Sequence, residues 1–207
     1  MAPPREQPRG PEVTLSGVVE RILWLDEETH FTIAELAPEA GDKVIILGNM
    51  SGLQCGETVD ATGSWEHHPA HGPQLRVKSF QSRLPSSVHG IRKYLGSGLI
   101  KGIGKTYADK IVAKFGVRTF DIISNQSGRL REVEGIGPGR AKSIKAAWEE
   151  QKALREVMVF LQTYGVTNAL CLRIVKAYGQ EAKKVVTTEP YRVCREVEGV
   201  GFKTADK

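Results

Sequence analysis

The chain has 207 residues, 40% hydrophobic and 26% charged, the composition of an ordinary soluble protein with one or two domains. No apolar run approaches a membrane span, the N-terminus MAPPREQPRGPE has no apolar signal core, and Cys55, Cys171 and Cys194 have no paired spacing. These features exclude a membrane or secreted disulfide protein and a zinc site, and point to a reduced, cytoplasmic protein. The net charge of +5 hides a split: residues 1–85 carry 7 Lys+Arg against 12 Asp+Glu, and residues 86–207 carry 22 against 12. A basic half of this kind is the electrostatic footprint of a nucleic-acid surface.

Residues 1–11, with Pro3, Pro4, Pro8 and Pro11, read as a disordered tail. Residues 12–85 read as five short strands. VTLSGVVERILWL (13–25) has Gly17 as a bend or bulge, and HFTIAEL (30–36) follows a charged turn. KVIILG (43–48) is an apolar run suited to a central strand. ETVDATGSW (57–65) alternates, with Val59, Ala61, Gly63 and Trp65 on one face, and QLRVKSF (74–80) alternates again. Five strands with Gly/Pro-rich turns predict a small β-barrel of the oligonucleotide-binding type. Its acidic balance argues against a strong DNA surface, though Arg76, Lys78 and Phe80 could make a minor contact. His67, His68 and His71 lie in one turn with only Glu66 to complete a metal set, so a polar loop is the better reading.

From residue 86 the pattern turns helical. Ser86 or Ser87 can cap a helix through Leu95, and LGSG (95–98) breaks it. Ile103, Tyr107, Ala108, Ile111, Val112 and Phe115 recur at helical spacing. A short helix begins at Thr119, its link ending near Gly128. Pro138 suits the first turn of a long helix to about Tyr164, whose Leu154, Val157, Met158 and Leu161 share one face and bridge two halves. The segment 86–150 is one unit and 151–207 a second. The last residues, GFKTADK, start a helix whose counterpart runs on to Trp148, so this unit is expected to continue past Lys207.

These two units are a duplication. GIGKTYADKIVAKFG (102–116) aligns without a gap on GVTNALCLRIVKAYG (165–179), 63 positions on. LREVEGIG ending at Gly137 returns as CREVEGVG ending at Gly201, offset by 64. Each copy is a glycine–apolar–glycine turn opening a helix. The glycines permit positive φ and close backbone approach, and the apolar residue between them pins the turn inward. The first helical amides lack intrahelical partners and, with the positive end of the dipole, can hold an anion such as a phosphodiester.

KGIGKT (101–106), EGIGPGR (134–140) and EGVGFKT (198–204) resemble helix-hairpin-helix motifs, sequence-neutral clamps on the DNA backbone; GVTNA (165–169) resembles a degenerate fourth copy, with Thr167 for the second glycine. The alternative, that the hairpins merely join helices, is outweighed by a Lys or Arg within three residues of each intact turn, except at Asn168 of the degenerate copy. The candidate DNA-binding residues are Lys101, Gly102, Gly104, Lys105, Thr106, Gly135, Gly137, Gly139, Arg140, Gly199, Gly201, Lys203 and Thr204. GLIKGIGKT (98–106) nearly reads as a nucleotide-binding P-loop, but Leu99 stands where its first glycine belongs and no strand precedes it, so the chain should bind no ATP.

The fold class is thus α+β: an oligonucleotide-binding-like barrel, then tandem paired hairpins. In this order, SGVVERILWLDEETHFTIAEL, GNMSGLQCGETVDATGSW, GPQLRVKSF, GSGLIKGIGKTYADKIVAKFG and EGVGFKTADK resemble the N-terminal region of stand-alone RecD-like DNA helicases. That resemblance implies a superfamily 1 motor of DNA repair and recombination, moving 5′ to 3′ on single-stranded DNA with ATP and magnesium, its motor domains lying beyond Lys207. It implies that this region holds single-stranded or forked DNA, with a monovalent cation possible at a hairpin. Two other readings stay open: a self-contained junction binder resembling RuvA, and a protein-docking module using the acidic barrel.

Overall fold

The computed structural model describes residues 11–26, 28–164, 166 and 168–199, without the side chains of 162, 163, 168 and 169. Five strands, β1 (Glu12–Leu25), β2 (Phe31–Pro38), β3 (Val44–Asn49), β4 (Thr58–His68) and β5 (Gly72–Arg83), close into a barrel in the order β1-β2-β3-β5-β4. All neighbours are antiparallel except β3 and β5. Alternation places Val19, Leu36, Ile46, Val59, Ala61 and Leu75 inside, all fully buried.

Two details depart from the alternating pattern. Gly17 is not a bulge: it pairs in register with both Pro38 and Val59, and a Cβ there would lie 2.5 Å from the Ala37 carbonyl oxygen. The bulges fall later, at Glu20 and Leu23, each the extra residue between successive pairings with β2. Trp65, expected on the buried face, is 40% exposed. The partner strand β1 reaches only as far as Ser64, so among the described residues Trp65 has a neighbouring strand on one side alone.

Seven α-helices follow among the described residues: α1 (Val88–Gly96), α2 (Lys105–Phe115), α3 (Thr119–Asn125), α4 (Pro138–Thr163), α5 (Asn168–Tyr178), α6 (Ala182–Thr188) and α7 (Pro190–Glu196). Ser87 caps α1, accepting the Gly90 amide at 3.1 Å, and a 3-10 turn, Ser127–Glu132, carries the link past Gly128. The helix α4 bridges two cores. Ile144 and Trp148 pack with Ile91, Leu95, Ile111 and Ile122, whereas Val157 and Leu161 pack with Cys171, Ile174, Ala182 and Val193. None of the described helices is long and apolar enough to cross a membrane.

The barrel is tied to the helices at three points. Gly56 (φ 86°) lies so close to α1 that a Cβ would meet the Tyr94 amide nitrogen and the Gly90 carbonyl. Glu20, turned out by its bulge, pairs with Lys93 at 2.8 Å and His89 at 2.5 Å. Burial works against the charge of Glu20, but Lys93 and His89 outweigh it and hold its carboxyl below the usual range. Deepest of the three, Glu57 is 1% exposed and pairs with Arg155 of α4, which also donates to the Tyr94 hydroxyl at 3.3 Å.

Burial pushes the Glu57 carboxyl up, against the pull of Arg155. A raised carboxyl contributes most to stability below its ordinary value of 4.5 and loses that contribution as pH climbs through the raised one. Arg155→Leu removes the pull and leaves the burial. The variant should lose about 3 kcal/mol or more at pH 7.5, and markedly less at pH 5, by chemical denaturation. A loss that does not change with pH would mean Glu57 is not held as a buried charge.

Candidate nucleic-acid interface

The first two hairpins share one geometry 33 residues apart. Ile103 donates its amide to the Ile100 carbonyl at 3.0 Å, and Ile136 to Val133 at 3.1 Å. Both isoleucines are buried, so the apolar residue does pin the turn. Gly102 and Gly135 take φ of 94° and 86°, which a side chain would strain, and Gly199 repeats the conformation at 89°.

The second glycine behaves differently from expectation. Gly104 is extended (φ −95°, ψ −178°) and caps α2, so it needs no left-handed conformation. A Cβ on Gly104 or Gly137 would meet nothing within 4 Å. What these positions provide is open space in front of a helix end. Thr167, Gly201, Lys203 and Thr204 lie outside the described residues, as does the side chain of Asn168.

The helices then open identically, Ala108 donating to the Gly104 carbonyl at 2.9 Å and Ala141 to Gly137 at 3.0 Å. The amides of residues 105–107 and of 139–140 precede those first bonds and have no intrahelical acceptor. Pro138 contributes none, so the second end offers fewer. Lys101, Gly102, Gly104, Lys105 and Thr106 are all exposed, as are Gly135, Gly137, Gly139 and Arg140.

The two helix ends lie side by side. The Arg140 guanidinium stacks over the Tyr107 ring, 4.4 Å from its centroid, and donates to the Tyr107 hydroxyl and, at 2.9 Å, to the Gly135 carbonyl. Tyr107 donates to the same carbonyl at 3.3 Å. Arg140 is thus a clasp between hairpins rather than a free cation, while Lys101 and Lys105 have no ion-pair partner among the described residues. Sequence reasoning missed Tyr107, reading it only as part of an apolar face. It also missed Arg131 and Lys142, exposed beside the second hairpin and likewise unpaired among the described residues. Most other cations of this region are spoken for, for example Lys110 with Glu134 at 3.4 Å and Arg129 with Glu132 at 2.8 Å. The proposed contacts on β5 are neutralised too: Arg76 pairs with Glu66 at 2.5 Å and Lys78 with Glu12 at 3.1 Å. His68 and His71 stack at 4.7 Å, and no three metal-ligating side chains gather among the described residues. The turn before α2 follows a helix, α1, instead of the strand a P-loop requires.

Residues 12–85 match the OB-fold domain of the ATP-dependent DNA helicase YrrC, residues 97–150 a SAM-like helix-hairpin-helix tandem, and residues 150–207 the helix-hairpin-helix domain of the ATP-dependent RecD2 DNA helicase. Over 200 residues the chain is 30% identical to the ATP-dependent RecD2 DNA helicase of Deinococcus radiodurans. Together these matches support an N-terminal RecD-like region. That alignment covers 93% of the chain and 28% of the relative, so the RecD-like region spans less than a third of that helicase. Among solved structures, the S. pombe Stn1–Ten1 complex matches with a TM-score of 0.30 at 13% identity, over 35% of this chain and 57% of that one, too slight a likeness to argue from.

Tyr107→Phe removes one hydroxyl from the clasp and should cost about 1 kcal/mol in chemical denaturation. Amide exchange at Gly135 and Ile136 should quicken while that at Ile122 and Ile123 stays slow. Unchanged exchange at the second hairpin would mean the hydroxyl holds nothing.

Proposed function

We propose that this RecD-like region grips the phosphate backbone of DNA for an ATP-dependent helicase whose motor lies outside residues 1–207. In this reading the parent protein moves 5′ to 3′ with ATP and magnesium in DNA repair or recombination, and the region itself performs no catalysis. The observation that carries the reading is the pair of helix ends joined by Tyr107 and Arg140. Amides around Gly104–Thr106 and Gly139–Arg140 would hold neighbouring phosphates, and Lys101 and Lys105 would add charge. Gly199, Gly201, Lys203 and Thr204 would make the equivalent contacts of the EGVGFKT (198–204) hairpin. Open space at Gly104 and Gly137 lets a phosphate reach the amides, which supports the reading. Such contacts set affinity and register without reading bases, and suit single-stranded or forked DNA of any sequence. A monovalent cation between hairpin carbonyls and phosphate belongs to the same proposal. The long match to a helicase weighs against a self-contained junction binder.

Salt-dependent titration with a labelled oligonucleotide tests the grip. Lys105→Glu should weaken binding and flatten the slope of log affinity against log salt by roughly 0.7 to 0.9 for each phosphate no longer neutralised. Asn168→Glu, in the degenerate hairpin, should change neither. Equal losses at the two positions, with both proteins folded by circular dichroism, would assign the binding to diffuse charge.

A further inference from the structure

Six of the barrel's described carboxylates are paired within the molecule, and Glu39 and Asp42 of the β2–β3 turn have no ion-pair partner among the described residues. Glu12, Glu20, Glu35, Glu57, Asp60 and Glu66 each meet a Lys, Arg or His. Asp26 and Glu28, in the turn between β1 and β2, have no cationic partner among the described residues. The described residues of that turn are held by hydrogen bonds. The Asp26 carboxylate accepts the amides of Glu28 and Thr29 at 2.9 and 2.8 Å, and Asn49 donates to the Thr29 carbonyl at 2.7 Å. Those amides hold the Asp26 carboxyl below its usual range, so it stays charged.

Beside this charge stand three consecutive apolar residues that a regular strand would not expose together. Leu23, Trp24 and Leu25 are 46%, 49% and 47% exposed. The cause is the bulge at Leu23, which breaks the alternation, and the ending of the β1–β4 pairing at Val18, which leaves this part of β1 with β2 as its only strand neighbour among the described residues. Phe31 extends the patch, its ring edge-on to Trp24 at 6.0 Å. An exposed apolar run at the end of a strand is a docking feature or an aggregation hazard.

We infer that Leu23, Trp24, Leu25 and Phe31, flanked by Asp26 and Glu28, dock a partner protein through a basic amphipathic segment. Charge decides between occupants. The two carboxylates repel DNA phosphates. A symmetric contact between two copies would gather both pairs of these carboxylates at one interface. A segment with lysines or arginines beside its apolar face satisfies both the patch and the turn. This surface is separate from the hairpins, so the inference stands or falls apart from the DNA reading.

In a Trp65→Phe background, Trp24 is the exposed indole and Trp148 is packed inside. An 18-residue amphipathic Leu/Lys peptide serves as probe. Its titration should shift the Trp24 emission saturably. Leu23→Ser and Glu28→Lys should each weaken that binding at least tenfold, with thermal midpoints unchanged. Three results would overturn the inference. One is equal binding of a Leu/Glu peptide. Another is oligo(dT) perturbing Trp24 as strongly as the Leu/Lys peptide does. The last is concentration-dependent dimerisation, in sedimentation, that Leu23→Ser abolishes.

Discussion

The arrangement rests on one buried ion pair. Glu57 leaves the barrel at the start of β4 and meets Arg155 in the middle of α4, with the Tyr94 hydroxyl of α1 beside them. Taking both charges out of water is costly, and their attraction offsets that cost only in this one docked position. The pair therefore contributes more to where the barrel sits than to how tightly it sits. Gly56, one residue earlier, lets α1 come into backbone contact, and Glu20 reaches α1 from the other side. With α1 fixed, α2 and the first hairpin are fixed too.

The duplication shows what the hairpin unit needs for packing and what it can give up. Arg129 lies over Phe115 and, 63 residues on, Arg192 lies over Tyr178. Gly116 and Gly179 both have φ of 56°. Lys110 reaches Glu134, and Arg173 reaches the Glu198 carbonyl at 3.1 Å. These scaffold contacts recur in both units. The clasp does not, for Leu170 and Thr204 stand where Tyr107 and Arg140 would align. Among the described residues, two helix ends are joined by a polar clasp in the first unit.

Much of this was legible in the sequence, for reasons local to a few residues. Alternation marks the strands because a half-buried strand must alternate. Pro138 marks the start of α4, and the 63/64 repeat marks the hairpins. What escaped depends on pairing between distant residues. The bulges at Glu20 and Leu23 are set by the register against β2, which no single strand records. The role of Arg140 follows from Tyr107, 33 residues away. The conformation of Gly104 escaped because a glycine required for clearance and one required for positive φ look alike in a sequence.

The central claim is that backbone amides at two adjacent helix ends, not scattered side-chain charge, meet the DNA. Backbone amide NMR shifts during titration with a short oligonucleotide of arbitrary sequence test it most directly. The account predicts the largest shifts at Gly104, Lys105, Thr106, Gly139 and Arg140, the same set for an unrelated sequence. Shifts spread along α3 and α6, with the amides of both hairpins silent, would contradict it.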